Sequence, residues 1–207
     1  IAQAETAQDL WAGSDLLSEL TETVLTVLPE GAEVVFPAKR EGPGLPNRVL
    51  AFVPRETATE TARAMADALR TALREMAESA LKVHPEWSHD GIFLLQVKAF
   101  PQTSWAILEE PSGDMGQDYK TIGALLAARR NTREFDAWPE EATKYPKDIL
   151  SGKETVLDKK LGFGAMNLIK RLHAEEAPFD DPVQQDGYVA VLMMDGDTMG
   201  KRLSAFK

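Results

Sequence analysis

No cysteine occurs among the 207 residues. Disulfides and cysteine-ligated metals are therefore excluded, and nothing in this composition argues for secretion. Histidine is scarce: His84, His89 and His173 are the only three, too few for a histidine-rich metal site. Positive charge is short as well, with 23 Lys and Arg against 33 Asp and Glu, a net charge of −10. Such a surface repels nucleic acid on average, so an extensive, self-sufficient DNA- or RNA-binding face is not expected. Arg129-Arg130 and Lys170-Arg171 remain as local basic clusters. No apolar run approaches the roughly 20 residues needed to span a bilayer. Residues 1–9 are polar and Ala-rich, unlike a signal peptide. Low-complexity blocks and internal repeats are also missing. The expectation is a soluble, cytoplasmic protein with no membrane partner.

What is present is a globular composition, 43% hydrophobic and 27% charged, in a chain long enough for one or two domains. Residues 3–28 predict a helix, with Leu10, Leu16, Leu17, Leu20, Val24 and Leu28 at three- and four-residue spacings and Pro29-Glu-Gly31 as its stop. Short strands are predicted at 33–37 and 48–53, joined by a Gly- and Pro-rich loop over 38–47. A long helix follows over 57–83, capped by Thr57 or Thr59. Its stripe of Met65, Leu69, Leu73, Met76 and Leu81 predicts core rather than a cofactor box. Residues 92–100, Ile-Phe-Leu-Leu-Gln-Val-Lys-Ala-Phe, read as a strand. The order helix, strand, strand, helix, strand is a split βαβ (ferredoxin-like) unit lacking its first strand. Beyond it, 106–117 reads as loop, 119–135 and 161–173 as helices, and 174–187 as an acidic linker. The chain opens on Ile1 rather than Met and stops at Lys207, soon after its last motif, and is expected to be a piece of a larger protein.

That last motif is Tyr188-Val-Ala-Val-Leu-Met-Met194 followed by Asp195-Gly-Asp-Thr-Met-Gly-Lys201. An apolar strand would deliver Asp195 and Asp197 to its carboxyl end, with Gly196 and Gly200 permitting a tight turn. A helix starting near Thr198 would turn free N–H groups towards an anion held beside the carboxylates. Divalent metal plus triphosphate is one reading. A calcium EF-hand loop fails, because Phe206 stands where the last carboxylate is needed. A haloacid-dehalogenase-type phosphatase is a weak match, with Met199 in the place of the usual Thr. A plain solvated turn is the ordinary reading of Asp-Gly-Asp alone. His89-Asp90 offers two adjacent ligands of the HD-nuclease kind, but Pro85 and Trp87 around it predict a surface turn. Asp148-x-x-Ser151 and Gly164-x-x-Asn167 have the spacing of paired Cys-x-x-Cys knuckles, yet none of the four is a good zinc ligand.

Several stretches together resemble one family, the large subunit of type III-B (Cmr) CRISPR effector complexes, a palm-domain cyclic-oligoadenylate synthase. Asp9-Leu-Trp-Ala-Gly-Ser14 is similar to its first-palm helix, and Leu45-Pro-Asn-Arg48 to its strand signature. Ala128-Arg-Arg130 onward resembles the segment before its zinc element. Leu161 through Leu168-Ile-Lys-Arg171 resembles the helix after the second zinc knuckle, and Tyr188 to Lys201 the opening strand of the second palm. The resemblance implies an α+β fold. A first palm would occupy 1–105, a helical, degenerate zinc element and linker 106–187, and the start of a second palm 188–207. It implies a metal-dependent nucleotidyltransferase that joins ATP into cyclic oligoadenylates in antiviral defence when target RNA binds. Asp195 and Asp197 would be catalytic. Asp195 with the Gly196 carbonyl would hold Mg²⁺ or Mn²⁺, and Gly196, Thr198, Met199, Gly200 and Lys201 would face the triphosphate. Partners would be the other Cmr subunits, with guide and target RNA met mainly through the complex. The departures count equally. The family's four zinc cysteines correspond to Asp148, Ser151, Gly164 and Asn167, so no zinc is expected there. Apolar packing by Ile149, Leu150, Leu161, Phe163, Met166 and Ile169 would hold the element instead. The HD nuclease domain is absent, and the Gly-Gly-Asp-Asp hairpin that completes the family's site would lie beyond Lys207. A scaffold that has lost catalysis is the alternative, and this piece alone is expected to be inactive.

Overall fold

The computed structural model describes residues 4–88, 91–132, 146–148, 150–152, 155 and 162–178. Among them the fold is mixed α+β: five helices, short 3₁₀ turns and one two-stranded antiparallel sheet. Helix α1, Ala7–Thr26, starts at a capping box. The Thr6 hydroxyl accepts the Asp9 N–H at 3.0 Å while the Asp9 carboxylate accepts the Thr6 N–H at 3.3 Å. Strands β1, Glu33–Phe36, and β2, Leu50–Phe52, pair with Val34 opposite Ala51 and a register shift before Phe36. The loop between them lies on α1. Ser18 Oγ accepts the Gly44 and Leu45 N–H groups at 2.9 and 3.0 Å, and the Thr21 hydroxyl donates to the Pro46 carbonyl at 3.0 Å. Gly44 has φ +79, a conformation that costs other residues energy.

Helix α2, Ala58–Val83, begins after a 3₁₀ turn at Arg55–Thr57. Thr57 sits at its N-cap, but the hydroxyl donates back to the Pro54 carbonyl rather than capping the helix. The buried row of α2 is alanine-rich: Ala66, Ala72, Ala77 and Ala80 join Leu73, whereas Leu69, Met76 and Leu81 are only half-buried against the core. The predicted stripe therefore does face the core, with Leu73 at its centre and Leu69, Met76 and Leu81 at its edge.

Residues 92–100 are not a strand. Ile92–Ala99 is helix α3, entered through Gly91 at φ +68. A strand would put Phe93, Leu95 and Val97 on one face, yet Leu95 is 57% exposed while Phe93 and Val97 are 0% and 4%. Burial of Phe93, Gln96 and Val97 instead follows the three- and four-residue spacing of a helix. A short apolar run cannot be told apart by periodicity alone, and here the helical solution satisfies its own backbone without a neighbouring strand.

Helix α4, Met115–Asn131, starts a turn earlier than 119 because the Asp114 carboxylate accepts the Gly116 and Gln117 N–H groups at 2.9 and 3.1 Å. Helix α5 is Ala165–Ala174, shorter at its start than the predicted 161–173, with Gly164 as N-cap. It packs on α1, α2 and α3. Leu16, Leu20, Leu73, Phe93, Leu168 and Ile169 share one apolar cluster, so α5 closes the same core that α1–α3 build. No helix among the described residues is long and apolar enough to cross a membrane.

Candidate functional site

Asp195, Gly196, Asp197, Thr198, Met199, Gly200 and Lys201 lie outside the described residues, as do His89 and Asp90. Among the described residues no three His, Asp or Glu side chains are grouped to hold a metal ion.

The structure does bring together Asp148, Ser151, Gly164 and Asn167. Asp148 is 1% exposed and sits at the centre. Its Oδ2 accepts the Ser151 hydroxyl at 2.9 Å, the Gly164 N–H at 2.8 Å and the Asn167 amide Nδ2 at 2.6 Å. Its Oδ1 accepts the Leu150 N–H at 2.8 Å. Burial pushes the carboxyl upward, but the Gly164, Leu150, Asn167 and Ser151 donors outweigh it and hold the group below the ordinary aspartate value. The expectation that apolar packing alone holds this element is therefore corrected. Phe163, Met166 and Ile169 do join the core, while Ile149 and Leu161 lie outside the described residues. The polar cluster is what ties the 146–152 loop to α5, since a buried carboxylate persists only with its acceptor capacity filled.

The same contacts cap α5 from a distance. Gly164 has no side chain to offer its helix. Asp148 takes the Gly164 N–H, and Gln96 Oε1 of α3 takes the Ala165 N–H at 2.8 Å. Negative charge at a helix N-terminus is further stabilised by the aligned peptide dipoles. Sequence reasoning missed Gln96; an amide inside an apolar run was its only signal.

Further along α5, Lys170, Arg171 and His173 face the acidic side of α1. Arg171 bonds to Glu5, approaches Asp9 at 3.5 Å and lies 4.0 Å over the Phe163 ring. His173 Nε2 is 2.8 Å from Asp15 Oδ2, and its ring stacks on Trp11. Lys170 is 1% exposed; burial lowers its pKa, against the opposing pull of Asp9. Lys170 is therefore not part of a solvated basic cluster, contrary to its reading beside Arg171, and it cannot offer its charge to RNA. Arg129 and Arg130 remain exposed at the end of α4.

A broad concavity lies on the other side of α1. An open groove of about 1270 Å³ runs between α1, the sheet, α2 and α4, and the 101–109 segment also lines it. Its walls are mainly apolar, with Leu17, Val24, Met65, Leu69, Ile122 and Leu126 among them. Arg55 and Glu109 at its margin pair with each other at 3.3 Å. Such walls suit packing rather than acid–base chemistry. Comparison with family models, curated proteins and solved structures found no match.

Proposed function

We propose that this chain is part of the large subunit of a type III-B (Cmr) CRISPR effector complex, a ferredoxin-like palm protein whose parent converts ATP to cyclic oligoadenylates on target-RNA binding. The reading starts from the collinear resemblance of Asp9 to Ser14, Leu45 to Arg48, Leu168 to Arg171 and Tyr188 to Lys201. The observation that carries it furthest is the meeting of Asp148, Ser151, Gly164 and Asn167 at one buried point. The resemblance pairs these four positions as the two halves of a knuckle, and two remote dipeptide spacings converging in space is what that pairing requires. Of the split βαβ order, the described residues keep α1, the antiparallel β1–β2 pair and α2, while the segment read as its last strand is helix α3.

In this reading Asp195 and the Gly196 carbonyl form an oxygen-only donor set, which suits a hard divalent cation such as Mg²⁺ or Mn²⁺. The cation would supply charge stabilisation to the transferring nucleotidyl group. Asp197 would help hold the metal or the turn beside it. The N–H groups of Thr198, Met199 and Gly200 would orient the triphosphate, and Lys201 would balance its charge. The test is the assembled complex supplied with ATP, Mn²⁺ and target RNA, as wild type and with Asp195→Asn. Oligoadenylate formation that is lost in the variant, with RNA binding intact, supports the enzyme. Absence of product from wild type that still binds RNA favours the scaffold alternative, which the replacement of four metal-ligand positions by Asp148, Ser151, Gly164 and Asn167 makes specific.

A further inference from the structure

We infer that Asp148 is an ion-free staple: its carboxylate charge, gathering donors from two segments, locks the 146–152 loop to the start of α5 without any metal and opens only in acid. The inference is independent of the proposed function and rests on the geometry alone. Four donors converge on the two oxygens at 2.6–2.9 Å, two from the loop (Leu150 N–H, Ser151 hydroxyl) and two from the α5 side (Gly164 N–H, Asn167 amide). Lys170, also on α5, is a charged group that feels Asp148, and it is itself influenced by Asp9, Glu5 and Arg171. As placed, all these partners donate, so a carboxylate fits better than a neutral acid: a proton on Oδ2 would point at three donors, of which only the Ser151 hydroxyl could rotate to accept it. The Ser151 and Leu150 bonds form a local turn, and the Gly152 N–H returns to the Asp148 carbonyl at 2.8 Å, so the loop is shaped around the charge. A bound cation would organise such a loop by gathering acceptors. Here an anion gathers donors to the same end.

The sign of the pH response follows from the donors. Because they hold the folded carboxylate below its ordinary value of 3.8, the staple is closed above that pH and is released as pH falls through the lower folded value. Asn167→Asp reverses the logic. Two carboxylates at this separation hold together only while they share a proton, so that variant should open as pH rises.

Amide hydrogen exchange of the full chain, followed by NMR from pH 7 down to pH 2.5, reads the staple directly. We expect the Leu150 and Gly164 amides to lose at least tenfold protection together below pH 3.8 while Leu73 and Ala77 in α2 keep theirs. Asn167→Asp should move that loss above pH 3.8 and invert its direction. Asp148→Asn should lower protection at both amides at least tenfold at pH 7. Should that variant not fold, Ser151→Ala, which removes one donor, should give a several-fold loss confined to the loop. Excess EDTA at pH 7 should change nothing. Loss of protection on adding EDTA, loss only together with α2, or indifference of Asn167→Asp to pH would each overturn the staple.

Discussion

At the scale of single residues, Asp148 and Lys170 are charges buried to 1% exposure, and each depends on its partners. Asp148→Asn keeps the shape of the side chain but sets an NH₂ or a single carbonyl against three donors on one side. Leaving buried donors unmatched costs about 1–3 kcal/mol each, so the expected loss is on the order of 3 kcal/mol, measured as a fall in the urea midpoint at pH 7. Lys170 gives the opposite signature. Its folded pKa lies below the ordinary 10.5, so the unfolded chain binds more protons over the interval between the two values. Stability credited to this group therefore rises with pH across that interval. Comparing Lys170→Met with wild type by urea unfolding from pH 8 to 10.5 should isolate that rise, and equal slopes for the two proteins would refute it. Neither role was legible from residue type. A lysine beside an arginine reads as surface, and Asp148 reads as loop, because burial is decided by tertiary contacts the sequence does not display.

At the scale of elements, the helices were the readable part. The end of α1 at Thr26, just before Pro29, and the length of α2 follow local chemistry, whereas the caps at Thr6 and Asp114 set starts that differ from the predicted 3 and 119. The miss at α3 has a definite cause. An eight-residue apolar run carries too few periods to separate a buried strand from a buried helix, and the choice fell to packing of Phe93 and Val97 against α5 and α2. Elements here are also held by polar side chains from neighbours. Gln96→Leu should fray the start of α5 by orphaning the Ala165 N–H, costing about 1–3 kcal/mol, with exchange at Ala165 as the local readout. Ser18→Ala removes the acceptor of two loop amides, Gly44 and Leu45. A loss of about 1–3 kcal/mol is expected, with faster exchange at both amides and none at Ala165. An unchanged Gly44 amide would show that the loop is held by something else.

At the scale of the whole molecule, charge and connectivity matter most. With a net charge of −10 and Lys170 withdrawn from the surface, the chain alone should bind single-stranded RNA weakly at physiological salt, as read by fluorescence anisotropy. Submicromolar binding at about 0.15 M salt would contradict this. The α+β class was legible because strand and helix patterns alternate clearly before residue 84. The site around Asp195 remains a reading of sequence alone, since it falls outside the described residues. The seam between α1 and α5 carries a consequence for synthesis. Asp15 meets His173 across 158 positions of chain, so the face of α1 that bears Trp11 and Asp15 is made long before its cover. At about 5–20 residues per second, that face waits roughly 10–30 s on the ribosome with an aromatic ring and uncompensated acids turned to water. The nascent chain is then a ready client for a chaperone until His173, the ninth residue of α5, has emerged.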